Sequence, residues 1–139
     1  MKNQDPDVYI GSPSISPDGK LFAYIADIED KVKGTSESYL RVLEYANGVL
    51  GKKILEQRLN FYHLTWSPDS RSVIVSDFSD PRGDLLRIEV ADGRTTKVSD
   101  FSSNAYCRAV VWSKDNKRLL MLRTTGSDAL KVITDLSLK

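Results

Sequence analysis

One cysteine, Cys107, excludes an internal disulfide and fits either a reducing or an oxidising compartment. One histidine, His63, stands alone, and the chain contains no His-Glu-x-x-His, no Gly-x-Ser-x-Gly and no phosphate-binding glycine loop. No apolar run approaches the roughly 20 residues of a membrane span. The opening Met1-Lys2-Asn3-Gln4-Asp5-Pro6-Asp7 lacks the apolar segment of a signal peptide. Charge of one sign is missing too: 20 basic against 19 acidic residues, mixed along the chain, give no basic stripe for nucleic acid or an acidic membrane. Helical periodicity is absent over any useful length, so the chain reads as all-β.

What is present is an ordinary core-forming balance: 139 residues, 40% hydrophobic and 28% charged, enough for one soluble domain. A turn motif then occurs three times: Ser16-Pro17-Asp18-Gly19-Lys20, Ser67-Pro68-Asp69-Ser70-Arg71 and Ser113-Lys114-Asp115-Asn116-Lys117. Successive copies start 51 residues apart (Ser16 to Ser67) and 46 apart (Ser67 to Ser113), spacings typical of repeat architectures. Trp66 and Trp112 precede the second and third copies, with Ile15 in that place in the first. Turn chemistry accounts for the motif: proline presets φ, aspartate suits the next corner, and glycine or a small polar residue closes into the following strand.

The second copy reads as strands Tyr62 to Ser67, Ser72 to Asp77, Leu85 to Val90 and Thr95 to Ser99. Asp92-Gly93 turns between the last two, and Asn47-Gly48 does the same between Tyr39 to Glu44 and Lys53 to Glu56 in the first copy. The third copy supplies Cys107 to Ser113, Lys117 to Arg123 and Ala129 to Thr134, leaving its fourth strand to be found; Met1 to Ile10 is a candidate. Leu21 to Ala26 and Leu119 to Leu122 are apolar on both faces rather than alternating, which points to sheets flanked on both sides. Stacked propeller blades provide that environment, with a β-sandwich ranking second.

Trp66-Ser67-Pro68-Asp69-Ser70-Arg71 followed by Val73-Ile74-Val75-Ser76-Asp77 resembles the WD40-like PD40 repeat of TolB-like β-propellers, also found in the propellers of prolyl oligopeptidase and dipeptidyl-peptidase relatives. The expected fold is thus all-β, within a single domain 1–139: three four-stranded antiparallel blades, about 11–57, 61–100 and 106–139, the last lacking its outer strand. This is an open half-propeller, or half of a six-bladed ring. Closed rings run from about four to eight blades. Three therefore call for completion, by a second copy in a homodimer or by further blades of a longer parent chain.

No catalytic residue, metal site or cofactor is assigned. His63, in an expected inner strand, reads as a packed, hydrogen-bonded residue, and Cys107 as a packing cysteine. Asp27, Glu29 and Asp30, and likewise Asp77, Asp80 and Asp84, read as solvated loop carboxylates matching no Ca²⁺ loop. Arg82-Gly83-Asp84 reads as a turn. Phe61, Tyr62, Phe78, Phe101 and Tyr106 fall at loops and strand ends, where they either anchor a partner or fill gaps between blades. The resemblance implies a non-catalytic scaffold binding a protein or peptide, without nucleic-acid contact or membrane insertion. Its alternative is the substrate-gating propeller fragment of an oligopeptidase-like serine hydrolase. By the same resemblance the protein is periplasmic if a signal peptide has been removed, and otherwise cytoplasmic.

Overall fold

The computed structural model describes residues 7–77, 79, 81, 84–99, 106–113, 115, 117–125 and 129–133. They form three antiparallel sheets, each a simple up-and-down meander. The first contains β1 (Asp7–Ile15), β2 (Leu21–Asp30), β3 (Thr35–Ala46) and β4 (Val49–Arg58). The second contains β5 (Phe61–Trp66), β6 (Ser72–Asp77), β7 (Leu85–Glu89) and β8 (Thr95–Lys97). The third contains β9 (Tyr106–Trp112), β10 (Leu119–Thr125) and β11 (Ala129–Ile133). Residues 134–139 lie outside the description, so a fourth strand there is not addressed. The N-terminal candidate for that strand is corrected from Asp7 onward: Asp7 to Ile15 pair with β2 as the first strand of the first sheet.

The repeated motif joins the first two strands of every sheet in one register, closing Ile15 on Phe22, Trp66 on Val73 and Trp112 on Leu119. In each copy the serine does two jobs. Ser16 Oγ donates to Asp18 Oδ1 at 2.6 Å and accepts from the Leu21 amide at 3.0 Å. Ser67 repeats this with Asp69 at 2.6 Å and the Ser72 amide at 3.0 Å. Ser113 bonds Asp115 and accepts from the Arg118 amide at 3.0 Å. The aspartate's Oδ1 also accepts the amide two residues on, at 3.1 Å in all three copies. The third copy has lysine in place of proline and keeps every one of these bonds. Serine and aspartate hold the turn, while proline merely biases it.

Two other hairpins differ from each other. Asn47 and Gly48 both have positive φ, 52° and 80°, the two-residue turn that matches strand twist. Asp92-Gly93 instead lies in a wider loop, 90–94, closed by the Glu89 amide on the Arg94 carbonyl at 3.0 Å.

Burial separates the sheets by position. In β6 the residues Ser72 to Ser76 are all buried, so both faces of the second sheet are covered. Its Val73 and Val75 side pack with Phe61, Trp66 and Ile88 against Ala23, Ile25, Leu40 and Val42 of the first sheet. Its Ile74 and Leu85 side pack against Val110, Leu119 and Met121 of the third. Each sheet thus has a forward face toward the next sheet and a rear face toward the preceding one. This double covering accounts for the burial of β6 on both faces, whereas Leu21 to Ala26 and Leu119 to Leu122, the runs expected to be flanked on both sides, each have a sheet against one face only among the described residues.

Candidate functional site

The first strands β1, β5 and β9 lie side by side, since contacts between neighbouring sheets run chiefly from β1 to β5 and from β5 to β9. Each carries a one-residue bulge against its partner: between Gly11 and Ser14, between Tyr62 and Leu64, and opposite the Leu122–Arg123 step in the third sheet. Ser12 and His63 occupy equivalent places in the first two bulges, four residues before the motif serine, with positive φ of 50° and 58°. Non-glycine residues there cost on the order of 1 kcal/mol, and bulges bend a strand and re-aim its side chains. His63 is half-buried and engaged in interactions, on a strained backbone rather than in a regular inner strand.

Three hydrogen bonds involving side chains tie the first sheet to the second among the described residues. The Trp66 indole Nε1 donates to the Ser14 carbonyl at 3.2 Å. The Asp18 amide, in the first turn, donates to Ser70 Oγ of the second turn at 3.0 Å. Ser70 stands where the first copy has Gly19, and both have positive φ, 61° and 72°. Serine there accepts backbone strain and provides the inter-sheet acceptor that glycine lacks. Trp112, the counterpart of Trp66, has its indole nitrogen buried without a hydrogen-bond partner among the described residues. At the outer edge, Gln57 of β4 reaches Thr95 Oγ1 at 2.8 Å. A side chain at Gly93 would come within 3.1 Å of the Gln57 oxygen.

The expected binding aromatics separate. Phe61 is 2% exposed within the core between the first two sheets, so it fills the gap between blades and presents nothing to a partner. Tyr62 lies in β5 and Tyr106 in β9, both in the first-strand array. Phe78 and Phe101 lie outside the described residues.

The acidic groups are corrected more sharply. Asp27, Glu29 and Asp30 belong to β2 rather than to a loop. Asp27 accepts from Ser38, and Asp30 caps the amides of Val32 and Lys33 at 3.0 and 3.1 Å. Asp84, expected in a solvated turn, is 1% exposed. Its Oδ1 accepts from Ser99 Oγ at 2.7 Å, and Lys97 Nζ lies 2.7 Å from Oδ2. Ser99 Oγ in turn accepts the Leu85 amide at 2.8 Å. This group fastens the β7–β8 edge. Asp77 holds the Ser79 amide at 2.9 Å, while Asp80 lies outside the described residues. Among the described residues no three His, Cys, Asp or Glu side chains gather to hold a metal, and no helix is long and apolar enough to cross a membrane.

Among the described residues no sheet covers the rear face of the first sheet. On it Ile10 is 65% and Ile15 47% exposed. Phe22 and Tyr24 pack ring to ring at 5.8 Å, both half-buried. Toward the outer strands the face turns polar, with Arg41 Nε and Lys53 Nζ on Glu56 Oε2 at 2.6 and 2.8 Å. The Lys53 bond is the largest cause holding the Glu56 carboxyl below its ordinary pKa.

No family model matches the chain, and no curated protein matches it. Solved structures do. The β-propeller domain of the trilobed protease from Pyrococcus furiosus superposes with a TM-score of 0.60 at 15% identity, over 83% of this chain and 33% of that one. An oligogalacturonate lyase solved with manganese gives 0.67 at 14% identity, over 100% of this chain and 42% of that one. TolB from Acinetobacter baumannii gives 0.54 at 14% identity, over 92% and 41%. The chain spans well under half the length of each. The shared property is the fold: an all-β segment of antiparallel propeller blades. Enzymes and TolB both carry it.

Proposed function

We propose that this chain is a non-catalytic, TolB-like propeller scaffold that binds a protein or peptide. The observation carrying the reading is the alignment of β1, β5 and β9, each bulged three to five residues before the motif serine, as an array built from adjacent sheets. Such an array presents side chains and strand ends in fixed relation, which keeps the entropy lost on binding low. Tyr62 and Tyr106 are placed on neighbouring inner strands, at positions one residue before the His63 bulge and at the start of β9. Aromatic residues are common anchors in protein interfaces. The likeness to TolB supports the same reading, and the likeness to the protease propeller supports its alternative, a blade segment that gates substrate to a hydrolase.

Selection of peptides from a random display library on the purified chain tests the scaffold. Re-synthesised peptides are expected to bind saturably and to slow amide hydrogen exchange in β5 and β9. Hydrolysis of peptide or ester substrates that co-purifies with the chain at constant specific activity would overturn the non-catalytic reading. A hydrolase segment with a Gly-x-Ser-x-Gly elbow encoded in the same reading frame would favour the gating alternative.

A further inference from the structure

The rear faces of the first two sheets carry equivalent residues in opposite environments. Aligned on the motif, Ile10 corresponds to Phe61, Ile15 to Trp66, Phe22 to Val73 and Tyr24 to Val75. In the second sheet these four positions are 2%, 5%, 0% and 0% exposed, because the forward face of the first sheet covers them. In the first sheet the same positions are apolar in every case, yet Ile10 and Ile15 are 65% and 47% exposed. At the other end, the forward face of the third sheet likewise has no covering sheet among the described residues. Val111 is 52% exposed, and Leu120, its strand partner, and Leu122 are only half-buried. Leu119 and Met121, which alternate with them along β10, are buried against the second sheet. The described residues therefore leave one rear face and one forward face without a covering sheet, the two halves of the contact made twice internally.

We infer that the rear face of the first sheet receives the forward face of the third sheet of a second copy, and reciprocally. Two copies then close a ring of six blades through two identical contacts related by a two-fold axis. The occupant is a copy of this chain because its own Val111, Leu120 and Leu122 present an apolar forward surface of the kind that the rear faces of the second and third sheets accept inside each copy. Ile15 and Gly19 replace the tryptophan and serine that bond across the first internal contact, so those two hydrogen bonds have no counterpart at this junction. The inference is independent of the proposed peptide binding.

Sedimentation velocity of the full chain tests it, with near-UV circular dichroism and a thermal melt as checks on folding. The wild type is expected at twice its 15.6 kDa mass. Ile15→Lys and Val111→Lys, both at exposed positions, are expected at the single-chain mass with unchanged dichroism. Val32→Lys, at an 86% exposed turn position away from the face, is expected to stay dimeric. Mixing the Ile15→Lys and Val111→Lys proteins is expected to restore a weaker dimer, since one intact forward face then meets one intact rear face. A wild type of single-chain mass at every concentration, which would assign the faces to blades from elsewhere, overturns the inference. So does a dimer surviving both substitutions, a mixture that stays monomeric, or an open series of higher oligomers.

Discussion

Replacing Ser70 by alanine and by glycine separates two effects that the turn combines. The hydroxyl accepts the Asp18 amide at 3.0 Å across the first inter-sheet contact, and the residue is 7% exposed. Ser70→Ala removes the acceptor and leaves that amide short of a partner, a loss of about 1 kcal/mol. It keeps the positive φ of 61°, so the left-handed strain remains. Ser70→Gly loses the same bond but relieves about 1–2 kcal/mol of strain, offset by about 0.5–1 kcal/mol of extra freedom in the unfolded chain. The glycine variant should therefore lie near wild type, and the alanine variant about 1 kcal/mol below it, roughly 3–5 °C in melting temperature. Urea melts at one fixed protein concentration read both values and keep any association constant between variants. An alanine variant as stable as wild type would show that the inter-sheet bond contributes nothing. A glycine variant less stable than alanine would show that the positive φ is not a source of strain.

Lys97→Met should destabilise by about 2 kcal/mol, toward the low end for buried ion pairs because the lysine is 40% exposed, while Asp84 is 1% exposed and loses its cation; a urea melt indistinguishable from wild type would count against a structural role for the pair. Acid should weaken the fold through the three turns. Asp18, Asp69 and Asp115 all titrate below the ordinary carboxylate value, in each case chiefly because the motif serine donates to the carboxylate. A carboxyl whose pKa is depressed in the fold contributes stability above its unfolded pKa and loses it as pH drops through the folded one. Stability is thus expected to fall from about pH 4 downward, and less steeply when all three are changed to asparagine; equal slopes would assign the acid response elsewhere.

The motif was legible because its chemistry is local. Ser113 and Asp115 preserve the turn without a proline, so aligning on serine and aspartate located all three hairpins. The bounds of β6 were equally plain, since the motif turn fixes its start and the apolar run Val73 to Val75 its centre. β3 and β4 were underestimated because their ends are exposed and outside the core: Thr35 and Ser36 pair with Asp30 and Glu29, and Val49 pairs with Ala46. Long-range partners escaped notice for a related reason. Nothing adjacent to Asp84 in the chain announces Lys97 or Ser99, and Ser70 looks like a tolerated glycine substitute until the Asp18 amide arrives from the preceding sheet. Phe61 belongs with them. An aromatic beside a loop looks available for binding, yet the neighbouring sheet covers it.

The substitutions at Ile15 and Gly19 give the repeat a direction. Where the second sheet meets the first, tryptophan and serine each carry one hydrogen bond across the contact, and these bonds fix the pitch between blades as well as their proximity. The first sheet keeps the apolar character of that rear surface but lacks both donor and acceptor. Apolar contact is non-directional and tolerates small rotations, whereas a bond at 3.0–3.2 Å does not. A neighbour on this face can therefore settle at an angle different from the internal one. In the six-bladed ring inferred above, such latitude lets the junction between copies take an angle other than the internal one. In that ring the junction without the tryptophan and serine bonds is the one free to adjust.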